Sequence, residues 1–71
     1  MIIIDCFGEI CPIPLLKIKK HFATMAVGDQ LLAKTDHICV VEAVEEFLDT
    51  TSATCQIDEP MLGVWEILIV R

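Results

Sequence analysis

Positive charge is scarce in this chain. Five Lys and Arg stand against eleven Asp and Glu, a net charge of −6 over 71 residues. Binding nucleic acid needs a cationic surface that displaces counterions from phosphate, so this balance argues for no nucleic acid partner. Long apolar runs are missing too. The opening Ile2-Ile3-Ile4 is broken by Asp5, far short of a signal-peptide core, and no run approaches the ~18 residues of a membrane span. Repeats, low-complexity tracts and linkers are also absent. These absences point to one cytoplasmic domain over residues 1–71. Thiols stay reduced in that compartment, so the four cysteines read as free thiols, catalytic thiols or metal ligands, not as structural disulfides.

What is present is apolar and periodic. A chain this short buries only about 60% of the surface its unfolded form exposes, but a 55% apolar composition can still build a small core. Ile2 to Asp5 reads as a short buried strand, followed by a loop from Cys6 to Ile10. Leu15, Ile18, Phe22 and Met25 then fall on one stripe of a helix, with Lys17, Lys20, His21 and Thr24 opposite. Gly28-Asp29 closes that helix and Gln30 to Thr35 is a second strand. Asp36 suits the N-cap of a second helix, in which Val40, Val44, Phe47 and Thr51 share one face and Glu42, Glu45, Glu46 and Asp49 the other. Ala53 to Glu59 and Val64 to Val70 read as a hairpin around a turn from Pro60 to Gly63.

The order β-α-β-α-β-β predicts an α+β two-layer sandwich, a mixed four-stranded sheet with two helices on one face. If the first two strands are parallel, right-handed crossovers bring both strand-to-helix loops to one sheet edge, where open α/β sheets keep their sites. That edge carries Cys6 to Ile13 and Asp36 to Cys39.

Within the first loop, Cys11 stands against Pro12 with Pro14 just beyond. Pro12 pushes Cys11 out of the α region and suits the first helical position, because its missing N–H would be unpaired there anyway. Pro14 disfavours the α region for Ile13, so the helix is expected to start irregularly or at Pro14 itself. A thiol at a helix N-terminus has its pKa lowered from ~8.5. The effect is moderate, ~0.3–1 kcal/mol at an exposed site, and Asp5, Glu9 and Asp36 oppose it. Two readings stand at this point: a partly ionised nucleophile, or a small buried hydrophobe under a proline-started helix.

Asp5-x-x-Gly8-x-x-Cys11-Pro12-x-Pro14, opening the first helix, resembles the signature of the TusA (SirA-like) sulfur carrier proteins. The resemblance covers the whole chain and implies the same element order. It implies a sulfurtransferase in which Cys11 accepts sulfane sulfur as a persulfide and relays it, with Asp5, Gly8, Pro12 and Pro14 as supporting motif and no cofactor or metal. The donor implied is a cysteine desulfurase, a rhodanese-like protein or thiosulfate, and the acceptor another sulfur-relay protein. The pathways open to such a carrier are tRNA thiolation, molybdenum cofactor maturation and thiosulfate assimilation. Many members carry Asp-Pro after the second strand, where this chain has Asp36-His37. Asp36 ahead of Glu42-Ala43, with Trp65-x-Ile67, is more similar to the YeeD branch, which works beside YeeE-type membrane permeases.

The remaining candidates are weighed on their settings. Cys55 alternates within a strand and Cys6 ends one, so both are expected in the core. Cys39 is expected in the first turn of the second helix, partly exposed, as an accessory or resolving thiol for Cys11 or as a half-buried helix-start residue. Cys6, Cys11, His37 and Cys39 could converge on zinc, although their spacing is not a familiar one. His37 reads as a solvated first-turn residue and His21 as part of the lysine face. Lys17, Lys19, Lys20 and His21 form a cationic strip, read as a solvated face or as a docking surface for an acidic partner. Ile13 and Leu16 fall off the apolar stripe and would be the centre of that docking patch. The alternative to a carrier is a non-catalytic binding module, or a metal- or disulfide-based sensor, using the same edge.

Overall fold

The structure, a computed structural model, describes residues 2–10 and 13–71. Its elements are β1 (Ile2–Asp5), α1 (Ile13–Thr24), β2 (Gln30–Thr35), α2 (Ile38–Leu48), β3 (Thr54–Met61) and β4 (Val64–Val70). The sheet order is β1-β2-β4-β3, with β1 parallel to β2 and both pairings of β4 antiparallel. This is the α+β arrangement that the sequence predicts.

Alternation along the strands selects the covered face. Leu31, Ala33, Ile67 and Ile69 are fully buried, and the register sets Leu31 opposite Ile69 and Ala33 opposite Ile67. Ile18 and Phe22 of α1, and Val40, Val41, Val44 and Leu48 of α2, join the same core, so both helices cover one side of the sheet. The Phe22 and Phe47 rings meet edge to face, centroids 5.5 Å apart, and tie the helices to each other.

Five boundaries differ from the sequence reading. Helix α1 starts at Ile13 in spite of Pro14. First-turn N–H groups have no intrahelical partner, so Pro14 forfeits no helical bond there. The Ile13 N–H donates to the Ile10 carbonyl at 3.0 Å, and burial of the Pro14 ring offsets the steric bias on Ile13. Met25 keeps its buried place but lies past the last helical residue.

Asp36 is not the N-cap of α2. That position is His37, in an extended conformation and with no side-chain capping bond. Thr51 also falls beyond α2, its hydroxyl donating to the Leu48 carbonyl at 2.9 Å. Finally, β3 continues through Pro60 to Met61, and the turn shortens to Leu62-Gly63. A proline is compatible with a strand here because β3 is at the sheet edge and its register with β4 shifts between Asp58 and Met61.

Candidate functional site

Parallel pairing of β1 and β2 sends the chain out of both strands at the same end of the sheet. The ladder runs one residue past β1, where the Cys6 N–H donates to the Lys34 carbonyl at 2.8 Å. Cys6 is fully buried there, and burial, followed by the negative charge of Glu9, pushes its thiol pKa up. Cys6 is therefore a core residue, as its position at the strand end suggests.

The loop that follows is pinned at several points. Asp5 Oδ1 accepts the Phe7 N–H at 3.0 Å, which turns the chain away from the strand. Gly8 has φ +76°, a left-handed conformation that favours glycine. Its N–H donates at 3.1 Å to Oδ1 of Asp36, in the loop between β2 and α2. The Glu9 N–H returns to the Cys6 carbonyl at 3.2 Å. Lys17 of α1 donates from Nζ to Glu9 Oε2, while Glu9 Oε1 is buried with no partner among the described residues. Ile10 and Ile13 are joined by the backbone bond that opens α1.

Cys11 and Pro12, on which the sequence reading centres, lie outside the described residues. The segments on both sides of them are fixed, and the neighbouring apolar side chains are turned outward. Ile13 is 47% exposed and Leu16 59%, as expected for off-stripe residues. Phe7, Ile10 and Ile38 are exposed at the same end of the sheet. These three were not singled out in the sequence, although the signal was available: each is apolar yet outside any strand alternation or helix stripe.

The second loop supplies Asp36, His37 and Cys39. Asp36 engages its carboxylate with distant Gly8 and adjacent His37 instead of capping α2. The Gly8 N–H first, and then His37, whose Nδ1 lies 2.7 Å from Oδ1, hold the Asp36 carboxyl below its ordinary range. The His37 backbone N–H donates at 3.2 Å to Oγ1 of the buried Thr35. Cys39, in the first turn of α2, is exposed, and Cys55 is half-buried against the core.

Among the described residues there is no cluster of His, Cys, Asp and Glu able to hold a metal ion. The cationic strip also differs from its sequence reading, because Lys17 is engaged with Glu9 while Lys20 is exposed and in no ion pair among the described residues.

Comparison with known proteins gives three concordant matches. The model of the family described as Sulfurtransferase TusA matches residues 2–71. A putative sulfur carrier protein of Methanocaldococcus jannaschii is 29% identical over 68 residues, which cover 96% of this chain and 91% of that protein. The crystal structure of a SirA-like protein from Desulfitobacterium hafniense has a TM-score of 0.89 at 28% identity, covering 99% of this chain and 96% of that one.

Proposed function

The chain belongs to the TusA sulfurtransferase family, and from that premise we propose that Cys11 is the thiol that accepts sulfane sulfur as a persulfide and passes it on. The observation that carries this reading is the pinned loop. Asp5 and Gly8 of the motif each make the bond that shapes the chain ahead of Cys11, and Pro14 is locked into the core just after it. Flanking segments held in place in this way present a partner protein with a defined surface, which favours orientation of a donor for attack on sulfur.

The chemistry is covalent transfer between sulfurs. The Cys11 thiolate attacks the outer sulfur of a persulfide on a cysteine desulfurase or rhodanese-like protein, or the sulfane sulfur of thiosulfate, and the donor's inner sulfur or sulfite departs. An acceptor thiolate from the next relay protein then takes the outer sulfur of the Cys11 persulfide. No organic cofactor or metal enters these steps. The exposed apolar group of Ile13 and Leu16, with Lys20 one turn beyond Leu16, supports docking of partner proteins at this end. Among the described residues no helix is long and apolar enough to cross a membrane. We place the carrier in the cytoplasm, with a YeeE-type permease as its thiosulfate source and tRNA thiolation or molybdenum cofactor maturation as the other outlets of the same persulfide.

Intact-protein mass spectrometry tests the reading. Incubation with a sulfur donor is expected to add ~32 Da, one sulfur atom, at one cysteine, and reductant to remove it. Cys11→Ser is expected to abolish the addition and leave the thermal transition in place, since serine is a good residue ahead of a helix. Undiminished loading in that variant would remove Cys11 from the role.

A further inference from the structure

The side of the helices turned away from the sheet carries an open groove, lined by Leu15, Lys19, Ala43, Glu46, Phe47 and Thr50. Its rims bear opposite charge. Lys19 and Lys20 are exposed on α1, while Glu42 and Glu46 on α2 and Asp49 at its C-cap are exposed across from them. None of these five makes an ion pair among the described residues, although Lys19 and Glu46 line one groove. Lys19 Nζ instead sits 5.3 Å from the centroid of the Phe47 ring. The seam between the rims is apolar, with Leu15 and Phe47 half-buried against the core and Leu16 exposed one turn before Lys20.

Helices α1 and α2 run in the same direction, because each returns the chain between strands of one sense, β1 to β2 and β2 to β3. A surface that is cationic on one half and acidic on the other is complementary to itself about a two-fold axis along the seam. Rotation about that axis lays α1 of each copy on α2 of the other and keeps every residue at its level along the helices. Lys19, at the level of Phe47, and Lys20 beside it then meet Glu46 and Asp49 of the second copy. A two-fold axis across the helices would set α1 on α1 and α2 on α2, like charge on like.

We propose that this helical layer is an isologous docking surface for a second copy of the chain, with charge pairs between α1 and α2 closing over the seam of Leu15, Leu16 and Phe47. Helices of 12 and 11 residues are at most about 18 Å long, which keeps the interface below the ~800 Å² per partner of a standard one. The dimer is therefore weak and reversible. A net charge of −6 on each copy opposes association in general, and the unpaired rim charges work against that repulsion.

The test is sedimentation velocity from about 10 µM to about 1 mM, in reductant so that exposed Cys39 links no copies by disulfide. The wild type should shift toward dimer with concentration and do so less at high salt, which screens the pairs; net repulsion alone gives the opposite salt trend. Two charge-swapped variants localise the contact. Lys19→Glu with Lys20→Glu makes both rims acidic at this level, and Glu46→Lys with Asp49→Lys makes both cationic. All four positions are exposed, and lysines in the last turn of α2 suit the helix dipole, so circular dichroism should find both variants folded. Each variant alone should associate about tenfold or more weakly than the wild type. Their equimolar mixture should regain wild-type association, because every acidic rim then meets a cationic one. The second variant has a smaller net charge than the wild type, so general repulsion predicts that it associates more strongly, not less. A wild type that stays monomeric throughout overturns the proposal and leaves the groove to a different protein. A dimer that either variant leaves intact also overturns it, as does a mixture that fails to associate.

Discussion

Asp36 and Gly8 stand 28 positions apart in the sequence, yet a carboxylate oxygen of one accepts the backbone N–H of the other at 3.1 Å. That bond holds the two strand-to-helix loops together, and the backbone of Gly8 at φ +76° presents its N–H for it. A Cβ added at Gly8 would meet no atom within 4 Å, so Gly8→Ala tests backbone strain alone. The expected cost is about 1–2 kcal/mol, the penalty of a left-handed alanine. Urea unfolding should show it as a lower midpoint at unchanged slope, with slower loading of Cys11.

Acid should loosen the same link. The native pKa of Asp36 is depressed, first by the Gly8 N–H and then by His37, so its contribution to stability is present above the unfolded value of ~3.9 and is lost as pH falls through the native one. Asp36→Asn keeps an acceptor for Gly8 and removes the charge. The stability gap between wild type and this variant should be constant above about pH 5 and close below pH 4 in a series of urea titrations.

Charge reversal separates steering from positioning. Lys20→Glu is expected to slow sulfur transfer from a protein donor and to leave transfer from thiosulfate unchanged, because steering acts only on encounters between charged surfaces. Lys17→Glu also breaks the bond to Glu9 and sets two carboxylates together, so it should slow both donors. The ratio of the two rates, measured with each variant, carries the distinction.

The thiols should react in an order set by burial. Cys39 is exposed, Cys55 half-buried and Cys6 inaccessible, and burial raises the pKa of the last two. A short pulse of iodoacetamide at pH 8 should therefore label Cys39 well before Cys55, and Cys6 only after denaturation. Under mild oxidation Cys39 is expected to form an internal disulfide with Cys11, protecting the carrier thiol from irreversible oxidation. Peptide mapping in which Cys39 stays fully alkylatable after oxidation would set that pairing aside.

The strands and the buried stripes were legible because they are periodic: Ile18 and Phe22 on one helix, and Val40 and Val44 on the other, are spaced as helical core residues must be. What escaped depends on partners far away in the chain. Asp36 before a helix looks like a cap, and only folding brings the Gly8 N–H close enough to compete for its carboxylate. The pairing of Lys17 with Glu9 removes a charge that the helix face seemed to offer to partners. His37 read in the sequence as a solvated first-turn residue, and only the fold shows its Nδ1 paired with the Asp36 carboxylate that also holds the first loop. Pro60 was read as a turn because proline ordinarily ends a strand, and the exception requires knowing that β3 is outermost.

That outermost strand has a consequence for how copies of the protein behave at high concentration. An edge strand of eight residues is a natural template on which another chain can add, one route to ribbons and fibrils. Here Pro60 interrupts the row of donors, the slip between Asp58 and Met61 bends it, and Asp58 and Glu59 repel a like-charged copy. The irregular end of β3 thus makes this edge a poor template for the addition of a second copy.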